Sequence, residues 1–179
     1  MTYAAVAVLS FPELKLLETS FARRRTDFPY IPGFLSFREA PAMLEALGRL
    51  AVHPDLLVVD GQGRAHPRRL GIASHVGLLA DLPAIGIGKS RLFGRCNEPG
   101  PARGAWTPLM SGREMIGACL RTREGTHPVF VSVGHRISLE TAIDIALRCT
   151  PRYRISEPIR QADRLSRLHL AEPPVGNLL

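Results

Sequence analysis

The sequence predicts an α/β fold, a mixed sheet flanked by helices, and three observations carry that expectation. Short apolar runs of strand type, such as Leu56-Leu57-Val58-Val59 and Ala84-Ile85-Gly86-Ile87-Gly88, alternate with segments whose apolar residues recur at helical spacing. Turns rich in glycine and proline separate them. The 179 residues, 45 % hydrophobic and 22 % charged, suit one soluble globular domain with an ordinary packed core.

In chain order, Ala4 to Leu9 and Leu14 to Glu18 flank Phe11-Pro12-Glu13 and read as two antiparallel strands joined by a tight turn. Pro29-Tyr30-Ile31-Pro32-Gly33 is a rigid loop, its prolines fixing φ and Gly33 permitting a turn. Ser36-Phe37-Arg38-Glu39 has the form of a capping box ahead of Met43, Leu44, Leu47 and Leu50, which predicts a helix over about 37–50. Leu56 to Val59 is a buried strand ending at Asp60-Gly61-Gln62-Gly63, residues 70–80 form a second helix, and Ala84 to Gly88 a second buried strand. Residues 94–108, with many glycines and prolines and Trp106, are expected as a long loop. Met115 to Arg121 and Val129 to Val133 read as a further hairpin. A helix follows Ser138, a plausible N-cap, and Ala162 to Leu170 is a final helix after Pro158.

Charge narrows the partner. The net charge of +7 and a pI near 10.1 favour a polyanion, because clustered cations gain affinity by displacing counterions from phosphate. Only Lys15 and Lys89 are lysines among 23 basic residues, so nearly all the positive charge is guanidinium, whose planar fork suits bidentate phosphate contacts. Cys96, Cys119 and Cys149 are far apart and form no CxxC pattern, which argues against a disulfide framework or a zinc site and fits a reducing cytoplasm. No apolar run reaches the roughly 20 residues of a membrane span, so no membrane association is expected.

Candidate chemistry lies at the ends of elements. Glu39 opens a helix and Asp60 ends a strand; a fold that brought them together would offer two carboxylates to Mg²⁺, a hard ion that prefers oxygen. The capping box alone would also explain Glu39, and a turn before Gly61 would explain Asp60. His66-Pro67-Arg68-Arg69 is a basic loop that would clamp a phosphodiester if it lay beside one. Gly86-Ile87-Gly88-Lys89-Ser90 fails as a phosphate-cradling P-loop, since Pro83 stands where that motif needs its first glycine. Lys89 at a strand end could offset charge on a phosphate or serve as a surface lysine. Gly134-His135-Arg136 precedes a helix N-terminus, a setting that can receive phosphate, and Asp163 is a third candidate carboxylate.

In this order the blocks resemble the endonuclease V family. Pro29-Tyr30-Ile31-Pro32-Gly33-Phe34-Leu35-Ser36-Phe37-Arg38-Glu39 is similar to the family's most distinctive block; Asp60-Gly61-Gln62-Gly63, His66 to Arg69, Gly88-Lys89, Gly134 to Ser138 and Glu157-Pro158 to Asp163 continue the match over essentially the whole chain. The resemblance implies a ribonuclease H-like fold and a hydrolase using Mg²⁺, or Mn²⁺ in its place. Its substrate would be DNA or RNA containing deaminated adenine, cut at the second phosphodiester on the 3′ side of inosine, in repair of damaged nucleic acid. It implies that Asp60, Glu39 and Asp163 hold metal, and that Glu39, Asp60, Lys89 and His66 stand at the scissile phosphate. Tyr30 would wedge between bases, with Pro32, Gly33, Arg68, Arg69, His135 and Arg136 along the nucleic acid. Family members carry a further strand before the first hairpin, holding the first metal-binding aspartate, whereas no aspartate here precedes Asp27. Residues 1–179 are therefore expected to be one endonuclease V-like domain, N-terminally incomplete, with a longer native protein encoded upstream. The rival expectation is an inosine-binding module that recognises its target without cutting.

Overall fold

The computed structural model describes the chain except for Asp27, Tyr30, Pro32 and residues 172–179, and only the backbone at Ala171. The chain opens with a hairpin of β1 (Thr2–Leu9) and β2 (Leu16–Arg24), paired antiparallel from Thr2↔Arg24 to Leu9↔Leu16. β2 starts two residues later and runs six residues further than Leu14 to Glu18. The turn consumes Ser10 to Lys15, with Ser10 N–H donating to the Lys15 carbonyl and Leu14 in the left-handed region at φ 56°.

Next comes α1 (Leu35–Gly48), and here the expected capping box does not form. Phe34 occupies the N-cap position with no side-chain cap, so Ser36 already lies inside the first turn. It is buried, and its Oγ is 3.1 Å from His75 Nδ1. Glu39 is thereby left without a capping partner. The helix sits close on the hairpin because the facing residues are small: Ala4, Ala22, Ala42 and Ala46 are all buried together, with Val6 and Met43 beside them.

The main sheet has the order β3-β4-β7-β6-β5. β3 (Leu57–Asp60) and β4 (Ala84–Gly88) are parallel, joined through α2 (Ile72–Ala80); β5 (Trp106–Ser111), β6 (Glu114–Leu120) and β7 (Val129–His135) are added antiparallel. The expected hairpin of 115–121 with 129–133 is the β6–β7 pair, while β5 occupies the end of the segment expected as a long loop. α3 (Leu139–Arg148) starts after Ser138, whose Oγ accepts from Thr141 N–H, as an N-cap should. α4 (Glu157–Ala171) begins five residues earlier than the expected helix, with Pro158 inside its first turn rather than before it.

Alternating strand residues feed two cores. Leu57, Val59 and Ala84 face α1 and α2 with Ala40, Ala73 and Val76. Ile85, Ile87, Leu120, Val129 and Val131 face the other way, onto Ala142, Ile143 and Ala146 of α3 and Ile159 of α4. Among the described residues β1 pairs only with β2 and β3 only with β4. A cleft of about 750 Å³ lies between them, lined by Tyr3 to Leu9 on one side and Leu56 to Asp60 on the other, with Glu39 of α1 and Asp163 of α4 also in its walls.

Candidate active site

Strand register builds the centre of the site. Asp60 ends β3 opposite Ile87, and Lys89 follows Gly88, the last residue of β4, at the same end of the two strands. Lys89 Nζ accordingly donates to Asp60 Oδ2 at 2.6 Å, with both side chains 46 % exposed. Glu39 lines the same cleft as Asp60. Burial pushes its carboxyl above the usual range; Arg38 pulls it down and the negative charge of Asp60 pushes it up again. Glu39 thus senses the charge of Asp60. Asp163 reaches the cleft from α4 while accepting from Arg167 at 2.8 Å. Among the described residues no three side chains of His, Cys, Asp or Glu stand close enough together to hold a metal ion.

The basic loop after Asp60 closes on itself. His66 is buried, and its Nδ1 accepts from Arg68 N–H at 3.2 Å. Burial and then the Arg68 charge lower its pKa, which keeps the ring neutral. It is not among the residues lining the cleft. Arg68 donates to the Gly33 carbonyl at 3.0 Å and lies 3.8 Å over the Phe34 ring, so it ties Gly33 and Phe34 to this loop. Arg69 is bound to Glu114 and to the His66 carbonyl. Gly33 sits at φ 79°, and a Cβ there would stand 2.7 Å from Arg68 Nη1. Tyr30, the expected wedge, and Pro32, expected along the nucleic acid, lie outside the described residues.

His135 and Arg136 do not join this cluster. β7 runs antiparallel to β4, so His135 pairs with Ala84 at the start of β4, whereas Asp60 and Lys89 are at its far end. Both side chains turn to Asp81, Arg136 at 2.9 Å and His135 at 3.7 Å. Sequence reasoning also missed three neighbours: His75, bonded to Ser36 and packed on Phe37; Gln62; and Arg154. Only Gln62 lay in a motif already singled out.

The endonuclease V family model matches residues 1–164. The chain belongs to the endonuclease V family. An endonuclease V of Trichormus variabilis is 61 % identical over 163 residues, which are 91 % of this chain and 74 % of that protein. Among solved structures, the endonuclease V of Streptomyces avermitilis superposes with a TM-score of 0.91 at 46 % identity, over 94 % of this chain and 74 % of the other. A Ciona intestinalis endonuclease V, solved with a 23mer DNA containing an inosine followed by a ribo-adenosine, superposes at 0.79 with 28 % identity, over 94 % and 83 %. The mixed sheet between helices expected from the sequence is thus the endonuclease V architecture, and the Asp60–Lys89 pair is set in an endonuclease scaffold.

Proposed function

We propose that this chain is a metal-dependent endonuclease acting on DNA or RNA that contains deaminated adenine, and that it cuts the second phosphodiester 3′ to inosine. The observation that carries the reading is the Asp60–Lys89 pair beside Glu39, in a chain that belongs to the endonuclease V family. The binding of inosine-containing DNA by the Ciona relative supports the choice of substrate.

Glu39 and Asp60 fit a divalent cation by their chemistry. They offer carboxylate oxygens only, and the rise of the Glu39 pKa, caused first by burial and in smaller part by the Asp60 charge, is a cost of ionisation that a bound cation would relieve. Mg²⁺ held there, or Mn²⁺, would supply a Lewis acid for the phosphate and a more acidic bound water. Asp163 would complete the ligand set on leaving Arg167. Lys89 donates to a non-bridging phosphate oxygen and offsets its charge. Arg68 keeps the Gly33 rim in place, so that Tyr30 can fill the space left by the displaced base. The wide exposure of Asp60 and Lys89 leaves them within reach of a nucleic-acid backbone.

The test is cleavage of a duplex carrying one inosine, with Mg²⁺, with Mn²⁺ and with EDTA, for the parent and for Asp60→Asn. Expected is one nick at the stated bond, abolished by EDTA and in the variant. The Asp60–Lys89 pair is exposed and contributes about 0–1 kcal/mol, so the variant should melt close to the parent and its loss of cleavage is not unfolding. Parental cutting by Asp60→Asn would remove Asp60 from the chemistry. A parent that cuts with neither metal would overturn the activity.

A further inference from the structure

Lys89 stands just beyond β4, where neither strand nor helix fixes the chain. An exposed ion pair is weak, and the four-carbon stem of lysine keeps its rotamer freedom against it. The bond to Asp60 therefore cannot by itself decide where the ammonium sits; the backbone that carries it must. Two side chains hold that backbone. Arg154, in the connection between α3 and α4 and 65 residues away in sequence, donates through Nη2 to the Lys89 carbonyl at 2.7 Å and the Pro128 carbonyl at 2.9 Å, and through Nε to the His127 carbonyl at 2.7 Å. Buried Gln62 donates through Nε2 to the Ser90 carbonyl at 3.1 Å.

The anchor is itself anchored. The Arg154 carbonyl accepts from Thr122 Oγ1 at 2.7 Å, and Thr122 is buried two residues past β6. Gln62 lies so close under β4 that a Cβ at Gly88 would come within 1.9 Å of its Nε2. One rigid planar fork thus binds the exit of β4 to the entry of β7, and a lysine, a point donor on a flexible stem, could not span the same three carbonyls.

We infer that Arg154 is a positioning residue for Lys89: by fixing the Lys89 carbonyl it fixes the direction in which the ammonium leaves the backbone, while Gln62 holds the following peptide. The inference rests on the reading of Lys89 as the cation facing the scissile phosphate.

The composition supplies the test, since Lys15 and Lys89 are the only lysines. Selective ¹³C/¹⁵N-lysine labelling gives two side-chain signals, assigned with Lys15→Arg. Asp60→Asn should shift the Lys89 signal. Arg154→Gln should shift it in the same direction with Asp60 intact, leaving Lys15 unmoved and the cooperative melt preserved. A parental Lys89 signal in folded Arg154→Gln overturns the inference. Should that variant not fold, Arg154→Lys and Gln62→Leu replace it, and a parental Lys89 signal in both has the same force. Cleavage gives a second readout. Arg154→Gln should lower kcat more than it raises KM, by up to roughly a hundredfold, the cost of displacing a positioned group by about 1 Å. That loss should vanish in a Lys89→Ala background; an equal loss in both backgrounds means a merely structural staple and overturns the inference. If the parent does not cut, the proposed activity fails, and the lysine signals still decide this question.

Discussion

Gly86→Ala should destabilise the fold and disturb the site at once. Gly86 is buried in the middle of β4, where the segment following Asp60 crosses it. A Cβ there would stand 2.5 Å from Gly63 N, 2.6 Å from the Gly61 carbonyl oxygen and 2.8 Å from the Gln62 carbonyl carbon. All three are backbone atoms, so no side chain can swing away, and either β4 or the 61–63 segment must shift. Overpacking of this kind costs about 1–3 kcal/mol, and a domain of this size loses about 2–4 °C of Tm per kcal/mol, so a fall of about 2–12 °C is expected. The control is Gly48→Ala at the end of α1, where a Cβ meets nothing within 4 Å. That change should be neutral or stabilise by up to about 1 kcal/mol, the helix preference for alanine over glycine. Both are read by calorimetry or circular dichroism melts. If Gly86→Ala melts with the parent, the close crossing of the two backbones is wrong. Displacement of the 61–63 segment also moves Asp60, so a folded Gly86→Ala should cut more slowly than its stability alone would explain.

Two further outcomes follow from the site. Glu39 has its folded pKa raised, chiefly by burial, so its ionised form opposes folding at neutral pH and the penalty is relieved as pH falls through the folded pKa towards the ordinary carboxylate range. Glu39→Gln should therefore melt higher than the parent at pH 7, converge with it at acid pH, and respond less to added Mg²⁺; a parent–variant gap that does not change with pH would rule the account out. Tyr30→Ala should weaken the preference for inosine-containing over undamaged duplex, by roughly the 1–3 kcal/mol of a lost base stack, and leave the salt-dependent part of binding alone. An unchanged affinity ratio with a lowered melting temperature would make Tyr30 a packing residue.

What the sequence made legible was local. Apolar runs and helical spacing located β3, β4, α2 and α3, and Ser138 announced its own cap, because each signal is carried by neighbours in the chain. β5 was invisible: Pro108 interrupts its pattern, and it survives as a strand because it lies at the sheet edge, where a missing N–H is tolerated. Pro158 misled in the opposite direction, since a proline in the first turn removes an N–H that has no helical partner, so α4 starts ahead of it. Ser36 and Glu39 matched a capping box by spacing, but Phe34 rather than Ser36 stands at the cap, and tertiary contact with His75 claims the hydroxyl. In the candidate site, the shared cleft of Asp60 and Glu39 was legible from their places at a strand end and a helix start, and the family resemblance added Lys89 to them. Arg154 was not, because a guanidinium seeking carbonyls 65 residues away leaves no periodic trace.

The arginines show why composition indicated a polyanion without indicating where it lies. One group is spent against carboxylates: Arg64 and Arg69 on Glu114, Arg136 on Asp81, Arg167 on Asp163. Where one arginine meets one carboxylate the field at a distance largely cancels, while Arg64 and Arg69 together leave one positive charge over Glu114. Another group closes loops by donating to backbone carbonyls: Arg68 to Gly33, Arg103 to Leu147, Arg154 to Lys89, His127 and Pro128. A carbonyl dipole satisfies the hydrogen bond without neutralising the cation, so these residues fix loop geometry and still contribute a full positive charge to the long-range potential. Arg154 is the clearest case, because the peptide it grips belongs to Lys89. The same guanidinium that sets the direction of the lysine also adds to the field in which that lysine would meet a phosphate.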